Sequence, residues 1–201
     1  MAGQARTGVS GVVLAGGQSR RMGRNKALME LEGRTLIAHV LDRLSRLCDE
    51  LIVSANDVDP YAHLAARIVR DAIPGRGALS GIHAGLAAMR NERAVVVACD
   101  MPFLSLSLLR YMTVVAEDYD VVVPRLDRYY EPLHSVYSAR CIGPIEHLVT
   151  EGPQRVVALY ERVRTREITG DIVRLYGADR SFFNVNTPQD WAEVQRLSAR
   201  A

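Results

Sequence analysis

Five consecutive apolar residues, Ala94-Val95-Val96-Val97-Ala98, lie near the middle of the chain and stop just short of a carboxylate, Asp100. A strand with one wet face alternates apolar and polar side chains. An unbroken apolar run belongs to a strand covered on both faces, as in the middle of a parallel sheet. Helices supply that cover, because parallel neighbours are joined by crossovers of a dozen or more residues. The rest of the chain fits this demand. Strands are predicted over 11–14, 51–53, 68–69, 94–98, 120–124, 132–137, 172–175 and 182–185, and helices over 35–47, 60–67, 79–89, 105–117, 142–149 and 153–163. Thr187-Pro188-Gln189-Asp190 starts a last helix reaching about residue 200. Its threonine suits the N-cap, its proline the first helical position and its aspartate the third. The alternation predicts an α/β fold, a three-layer αβα sandwich around a mostly parallel sheet.

Composition narrows the function classes. A chain of 201 residues can bury a sizeable core as one domain, 1–201, with no disulfide or structural metal. Its 25 basic and 23 acidic residues leave a formal charge of +2, without the basic excess of a nucleic-acid binder. No apolar run approaches the ~18 residues of a membrane span, and the start, 1–10, lacks the apolar stretch of a signal peptide. A cytoplasmic protein that binds neither nucleic acid nor membrane is expected. Cys48, Cys99 and Cys141 show no metal-site spacing and read as buried free thiols. Of the 25 basic residues only Lys26 is lysine, so it marks either a place where a planar guanidinium does not fit or a chance of composition.

In sheets of this kind ligands collect outside the carboxyl ends of the strands. Two predicted strand ends carry chemistry. The first leads into Gly16, Gly17 and Gly23 interleaved with Arg20, Arg21, Arg24 and Lys26. Glycines let backbone N–H groups wrap an anion, and the cations neutralise it. The spacing matches neither a dinucleotide fingerprint nor a P-loop, which leaves a polyphosphate cradle or a solvated loop. The second is Asp100-Met101-Pro102, where a carboxylate suits Mg²⁺, an ion satisfied by one or two carboxylates plus phosphate oxygens; a capping aspartate is the alternative. Asp71 follows another strand and reads as a nucleotide contact or a turn residue. Asn184 and Asn186 flank Val185 ahead of the last helix, placed to offer amides to metal or phosphate, or to cap. His39 and His83 fall on helices and read as satisfied core or surface residues. No Ser-His-Asp or Cys-His constellation stands out.

The segment Leu14-Ala15-Gly16-Gly17-Gln18-Ser19-Arg20-Arg21-Met22-Gly23-Arg24-Asn25-Lys26-Ala27-Leu28 resembles the signature of sugar-phosphate and cofactor nucleotidyltransferases, most closely the molybdenum cofactor guanylyltransferases of the MobA family. Three more segments agree in order. Gly77-Ala78-Leu79-Ser80-Gly81-Ile82-His83-Ala84-Gly85-Leu86 is similar to that family's base-binding loop, Glu131-Pro132-Leu133-His134-Ser135-Val136-Tyr137 to its mid-domain strand, and Phe183-Asn184-Val185-Asn186-Thr187-Pro188 to its C-terminal element. The resemblance spans about 10–198. It implies a Rossmann-like nucleotidyltransferase fold that uses GTP and Mg²⁺. The reaction implied is GMP transfer to the terminal phosphate of molybdopterin, giving molybdopterin guanine dinucleotide and pyrophosphate.

Residue by residue, the resemblance implies that Leu14, Ala15 and Gly16 contact the nucleotide. It puts Gly17 and Gly81 among the binding positions. Lys26 then meets the phosphates, Asp71 contacts GTP, and Asp100 holds Mg²⁺, with Asn184 or Asn186 as a further candidate ligand. Arg21 joins Lys26 and Asp100 as a catalytic candidate. Protein partners are other enzymes of molybdenum cofactor biosynthesis and acceptor enzymes. Asn25 stands where the family often has aspartate, Ser54 (with Asn56 two residues on) where asparagine is frequent, and Ala78-Leu79-Ser80-Gly81 where Pro-Leu-Ala-Gly is usual. Guanine's N–H donors are expected to meet free carbonyls of the 77–85 loop. Two alternatives stay open: a cytidylyltransferase acting on molybdopterin or an alcohol phosphate, and a catalytically idle nucleotide-binding regulator.

Overall fold

The computed structural model describes residues 8–16, 25–71 and 77–199. Ten strands and six α-helices are described: β1 Val9–Leu14, β2 Glu30–Leu31, β3 Arg34–Thr35, α1 Leu36–Leu44, β4 Glu50–Ser54, β5 Arg67–Val69, α2 Ala78–Ala88, β6 Arg93–Ala98, α3 Leu106–Val115, β7 Val121–Leu126, β8 Tyr129–Tyr130, β9 His134–Ser138, α4 Ile142–Glu151, β10 Thr165–Thr169, α5 Gly170–Leu175 and α6 Pro188–Ser198. The main sheet runs β5-β4-β1-β6-β9-β7-β10, with β8 paired to β7. β2 and β3 form a separate small hairpin.

β6 is central, as its apolar run requires. It pairs parallel with β1 on one side, and on the other it pairs antiparallel with β9, the reversed strand that also runs against β7. One flank of β6 therefore departs from the parallel expectation. Val95 and Val97 face a core shared with α1 and α3, while Ala94 and Val96 face a second core under α2 and α4. These are the three layers. α1 buries Leu36, Ile37, Val40, Leu41 and Leu44, a helical stripe against the sheet. α6 begins on the expected capping box, with Thr187 Oγ1 accepting the Asp190 N–H and the Asp190 carboxylate accepting the Thr187 N–H.

Four predicted elements differ. Over 60–67 only Tyr61 is buried, and the chain makes a single 3₁₀ turn, Asp59–Tyr61, because no apolar face exists to hold a helix. Over 153–163 only Leu159 is buried, and a 3₁₀ turn, Val156–Leu159, replaces the helix for the same reason. The stretch 172–175 lies in helix α5, not a strand; Thr169 at its N-cap and Asp171 in its first turn favour the helix, and the strand is β10 just before it. Residues 183–186 form no strand. They follow a 3₁₀ turn, Asp179–Phe182, and touch the sheet edge where the Val185 N–H donates to the Asp100 carbonyl at 3.1 Å.

Asp120, just before β7, knits three segments. Its carboxylate accepts from the Arg140 guanidinium, from the Arg164 backbone N–H at 3.0 Å and from Ser138 Oγ at 3.4 Å. Burial alone would raise its pKa, but these donors outweigh burial and hold it below the ordinary aspartate value. A depressed folded-state pKa contributes stability that is full above the unfolded value and lost as pH falls through the folded one. Asp120→Asn should therefore cost about 1–2 kcal/mol at pH 7, discounted for the exposed arginine. Urea denaturation of both proteins should show this gap closing below the usual aspartate range. A gap independent of pH would mean the carboxylate charge is not what knits the segments.

Candidate active site

The strand order places a topological switch at β1, since the chain goes from β1 to β4 on one side and later returns to β6 on the other. Such a switch opens a crevice beyond the carboxyl ends of the two strands. A cavity of about 670 Å³ lies there, lined by Leu14, Ala15 and Gly16 after β1, Ser54 and Asn56 after β4, Asp71 after β5, Gly77, Ala78 and Gly81 at the start of α2, Ala98, Cys99 and Asp100 after β6, and Asn25, Lys26, Ala27, Leu133, Asn184 and Asn186. Leu14, Ala15, Gly16, Lys26, Asp71, Gly81, Asp100, Asn184 and Asn186 are thus brought to one cavity from distant parts of the sequence. Gly17 and Arg21, with Arg20, Gly23 and Arg24, lie outside the described residues.

The centre of the site is Lys26. A 3₁₀ turn, Lys26–Leu28, carries it, and Asn25 caps that turn by accepting the Ala27 N–H at 3.1 Å. Lys26 Nζ donates to Asp100 Oδ2 at 2.6 Å and to Asn186 Oδ1 at 2.9 Å. The two charged side chains are only 16% and 13% exposed, so water screens their attraction weakly. Asn186 is held in turn by its own N–H, which donates to Asp190 Oδ2 at 2.9 Å, so the start of α6 aims this amide at the lysine. Asn184 lines the cavity with its Nδ2 donating to the Phe182 carbonyl.

At the other end Asp71 Oδ1 accepts from Ser54 Oγ at 3.0 Å. Gly77 caps α2 with φ at +63°, a left-handed conformation that suits glycine. Because α2 begins at Ala78, the carbonyls of 78–85 point into the helix and not at a base, contrary to the sequence expectation. Asp71 and the first residues at the start of α2, Gly77 and Ala78, line the cavity instead. Gly81 lets α2 lie close to β1, since a Cβ there would sit 2.6 Å from Leu14 Cδ2 and push that side chain aside.

Among the described residues no group of three or more His, Cys, Asp or Glu side chains could hold a metal. A hard cation at Asp100 would have one carboxylate and neighbouring amide oxygens, leaving positions for phosphate oxygens and water. That donor set suits Mg²⁺ brought with a polyphosphate better than a metal caged by protein alone.

The three cysteines are free thiols. Burial pushes Cys48, Cys99 and Cys141 up to about 12, although Cys99 is half-buried and lines the cavity where full burial was expected. His39 Nε2 donates to the Leu31 carbonyl at 2.8 Å, and His83 Nε2 meets Glu146 Oε1 at 2.9 Å, both satisfied as expected. His134 pairs with Ser181 Oγ at 2.6 Å in a fully buried position, and burial lowers its pKa to about 4. This pair binds the 3₁₀ turn before Asn184 to β9. Sequence reading missed it, and also missed Tyr61, because neither shows a local pattern.

The family of MobA-like NTP transferase domains matches residues 11–166. The chain is 42% identical over 190 residues to a probable molybdenum cofactor guanylyltransferase of Pelotomaculum thermopropionicum, covering 94% of this chain and 93% of that one. It is 40% identical to a molybdenum cofactor guanylyltransferase of Desulfosudis oleivorans, covering 93% and 94%. Among solved structures, the molybdopterin-guanine dinucleotide biosynthesis protein A of Archaeoglobus fulgidus superposes with a TM-score of 0.84 at 27% identity, covering 96% of this chain and all of that one. A crevice at the sheet switch point, a lysine–aspartate pair within it and these relatives all lead to one assignment: the chain belongs to the MobA-like NTP transferase family.

Proposed function

We propose that the protein, as a single nucleotidyltransferase domain, transfers GMP from GTP to the terminal phosphate of molybdopterin, releasing pyrophosphate. The observation that carries this reading is the Lys26–Asp100 pair, 2.6 Å long, lining a cavity large enough for a nucleotide. The acceptor phosphate oxygen forms a bond to the α-phosphorus while the bond from that phosphorus to the bridging oxygen breaks, and the electron pair leaves with pyrophosphate. A phosphate monoester is already anionic near pH 7, so the step needs no general base. The site needs positive charge and N–H donors, which stabilise charge as it moves. Lys26, with the Gly16 backbone and the N-terminus of α2 that also line the cavity, would supply these. Asp100, with Asn184 or Asn186, would hold Mg²⁺, which neutralises charge on the transferring and leaving phosphates when bound.

Asp71 supports GTP over CTP and ATP. Its carboxylate accepts from Ser54 Oγ, and the residue lines the cavity. Guanine offers two adjacent N–H donors to a carboxylate, whereas cytosine and adenine each offer an amino donor beside an acceptor nitrogen that would repel it. The relatives named as guanylyltransferases support the same choice. No helix among the described residues is long and apolar enough to cross a membrane, and the substrates are water-soluble, so we place the reaction in the cytoplasm, with enzymes of the same biosynthesis and acceptor enzymes as its partners.

The test is thermal stabilisation by each nucleotide with Mg²⁺, followed by pyrophosphate release on adding molybdopterin. GTP at about a hundred times its Kd should add ~2.7 kcal/mol of stability, with smaller shifts from CTP and ATP. Equal shifts for GTP and CTP would overturn the choice of base. Nucleotide binding without pyrophosphate release would favour the idle regulator.

A further inference from the structure

The Tyr61 hydroxyl lies inside the fold between two stretches of chain that are close in space and ten residues apart in sequence. The residue is 2% exposed, seated by the 3₁₀ turn Asp59–Tyr61. Its oxygen accepts from Asn25 Nδ2 at 2.9 Å and donates to the Ala15 carbonyl at 3.3 Å. Ala15 leaves β1 for the glycine-rich segment, and Asn25 caps the turn that presents Lys26. One phenol therefore touches two residues that line the cavity.

We infer that Tyr61 is a positioning residue, clasping Ala15 to Asn25 so that Lys26 is held on Asp100 before any nucleotide arrives; its bearing on GTP rests on the function proposed above.

The hydrogen-bond directions are forced. Asn25 Oδ1 accepts the Ala27 N–H, so the amide must turn Nδ2 toward Tyr61. With Asn25 donating, the single phenol hydrogen is left for the Ala15 carbonyl. A phenol keeps its hydrogen at neutral pH, and burial raises the Tyr61 pKa further above the ordinary tyrosine value. An aspartate at position 25 has no N–H to give. It would take the phenol hydrogen for itself and deprive the Ala15 carbonyl of its Tyr61 donor. The departure from the family's frequent aspartate is thus matched to this clasp.

Because Lys26 is the only lysine in the chain, lysine labelled at Cε and Nζ yields one side-chain ammonium signal. Asp100→Asn marks where that signal lies without its carboxylate partner. In nucleotide-free protein, Tyr61→Phe should move the signal at least halfway from the wild-type position toward that mark, with circular dichroism unchanged. Asn25→Ala should do the same, and the double variant should move it no further than the larger single effect. GTP binding by calorimetry should weaken about fivefold or more in each. A Lys26 signal unmoved by Tyr61→Phe, even with a lowered Tm, would make the tyrosine a packing residue and overturn the inference. Additive movement in the double variant would equally overturn action through Asn25. A signal that moves as expected in a protein whose wild type binds no GTP would uphold the clasp and sink the proposed function instead.

Discussion

Asp100→Asn should leave a folded protein with turnover about 10²–10³-fold lower, a loss of about 3–4 kcal/mol in transition-state stabilisation. The residue is almost fully buried at the end of β6, and its backbone carbonyl, not its side chain, receives the Val185 N–H. A nearly isosteric amide keeps that link. It removes the charge that faces Lys26 at 2.6 Å and the only carboxylate oxygens available to a hard cation on this side of the cavity among the described residues. Lys26 keeps its bond to Asn186, and its 16% exposure lets the ammonium turn toward water, so the stability loss stays below the cost of stranding a fully buried charge. Pyrophosphate release across a Mg²⁺ titration, with circular dichroism as the folding control, is the measurement. Near-normal turnover at the same Mg²⁺ would take Asp100 out of the chemistry.

The largest expected loss of stability comes from one methyl group. Gly85→Ala places a Cβ 2.3 Å from Val12 Cγ1 and 3.0 Å from Cγ2, where α2 lies against β1. Helix propensity alone would favour alanine by about 1 kcal/mol. The clash wins because Val12 is fully buried in a central strand and a β-branched side chain has few rotamers to retreat into. A net cost of about 2–3 kcal/mol is expected, which lowers Tm by about 5–10 °C in a chain of this size. Gly143→Ala is the control. It is also helical, in α4, but nothing lies within 4 Å of its added Cβ, so propensity should act alone and leave Tm unchanged or slightly raised. If both substitutions shift Tm alike, close packing of α2 is not what selects glycine at position 85.

What could be read ahead of the structure follows from how local each cause is. β6 was legible because burial on two faces writes itself as consecutive apolar residues. The start of α6 was legible because a capping box is four residues of local chemistry. Residues 172–175 were not, since four apolar-rich residues suit a strand or a helix turn equally, and only Thr169 and Asp171 outside that window decide for α5. The direction of β9 has no sequence signature, because it depends on which edge of the sheet the chain returns from. Lys26 was marked by its rarity among 24 arginines and Asp100 by its place after a strand. Their contact, and the arrival of Asn186 beside them, is a product of the whole topology. Tyr61 carries no mark at all, since its role comes from two hydrogen bonds to residues 36 and 46 positions away.

The reach of Lys26 also sets a clock. Its partners lie 74 and 160 residues further along the chain. At translation rates of about 5–20 residues per second, Asn186 is added roughly 8–30 s after Lys26. A growing chain holds β1, β4, β5 and β6, which pair parallel in the finished sheet, and then Asp100, well before it holds Asn186. Until then it lacks the amide that closes the other side and the α6 capping box that aims it. Contacts of such long range are also the slowest to form once the chain is complete. The parts of this centre therefore reach the growing chain far apart in time, and a chain interrupted before residue 186 carries the lysine and the aspartate without the amide that closes on them.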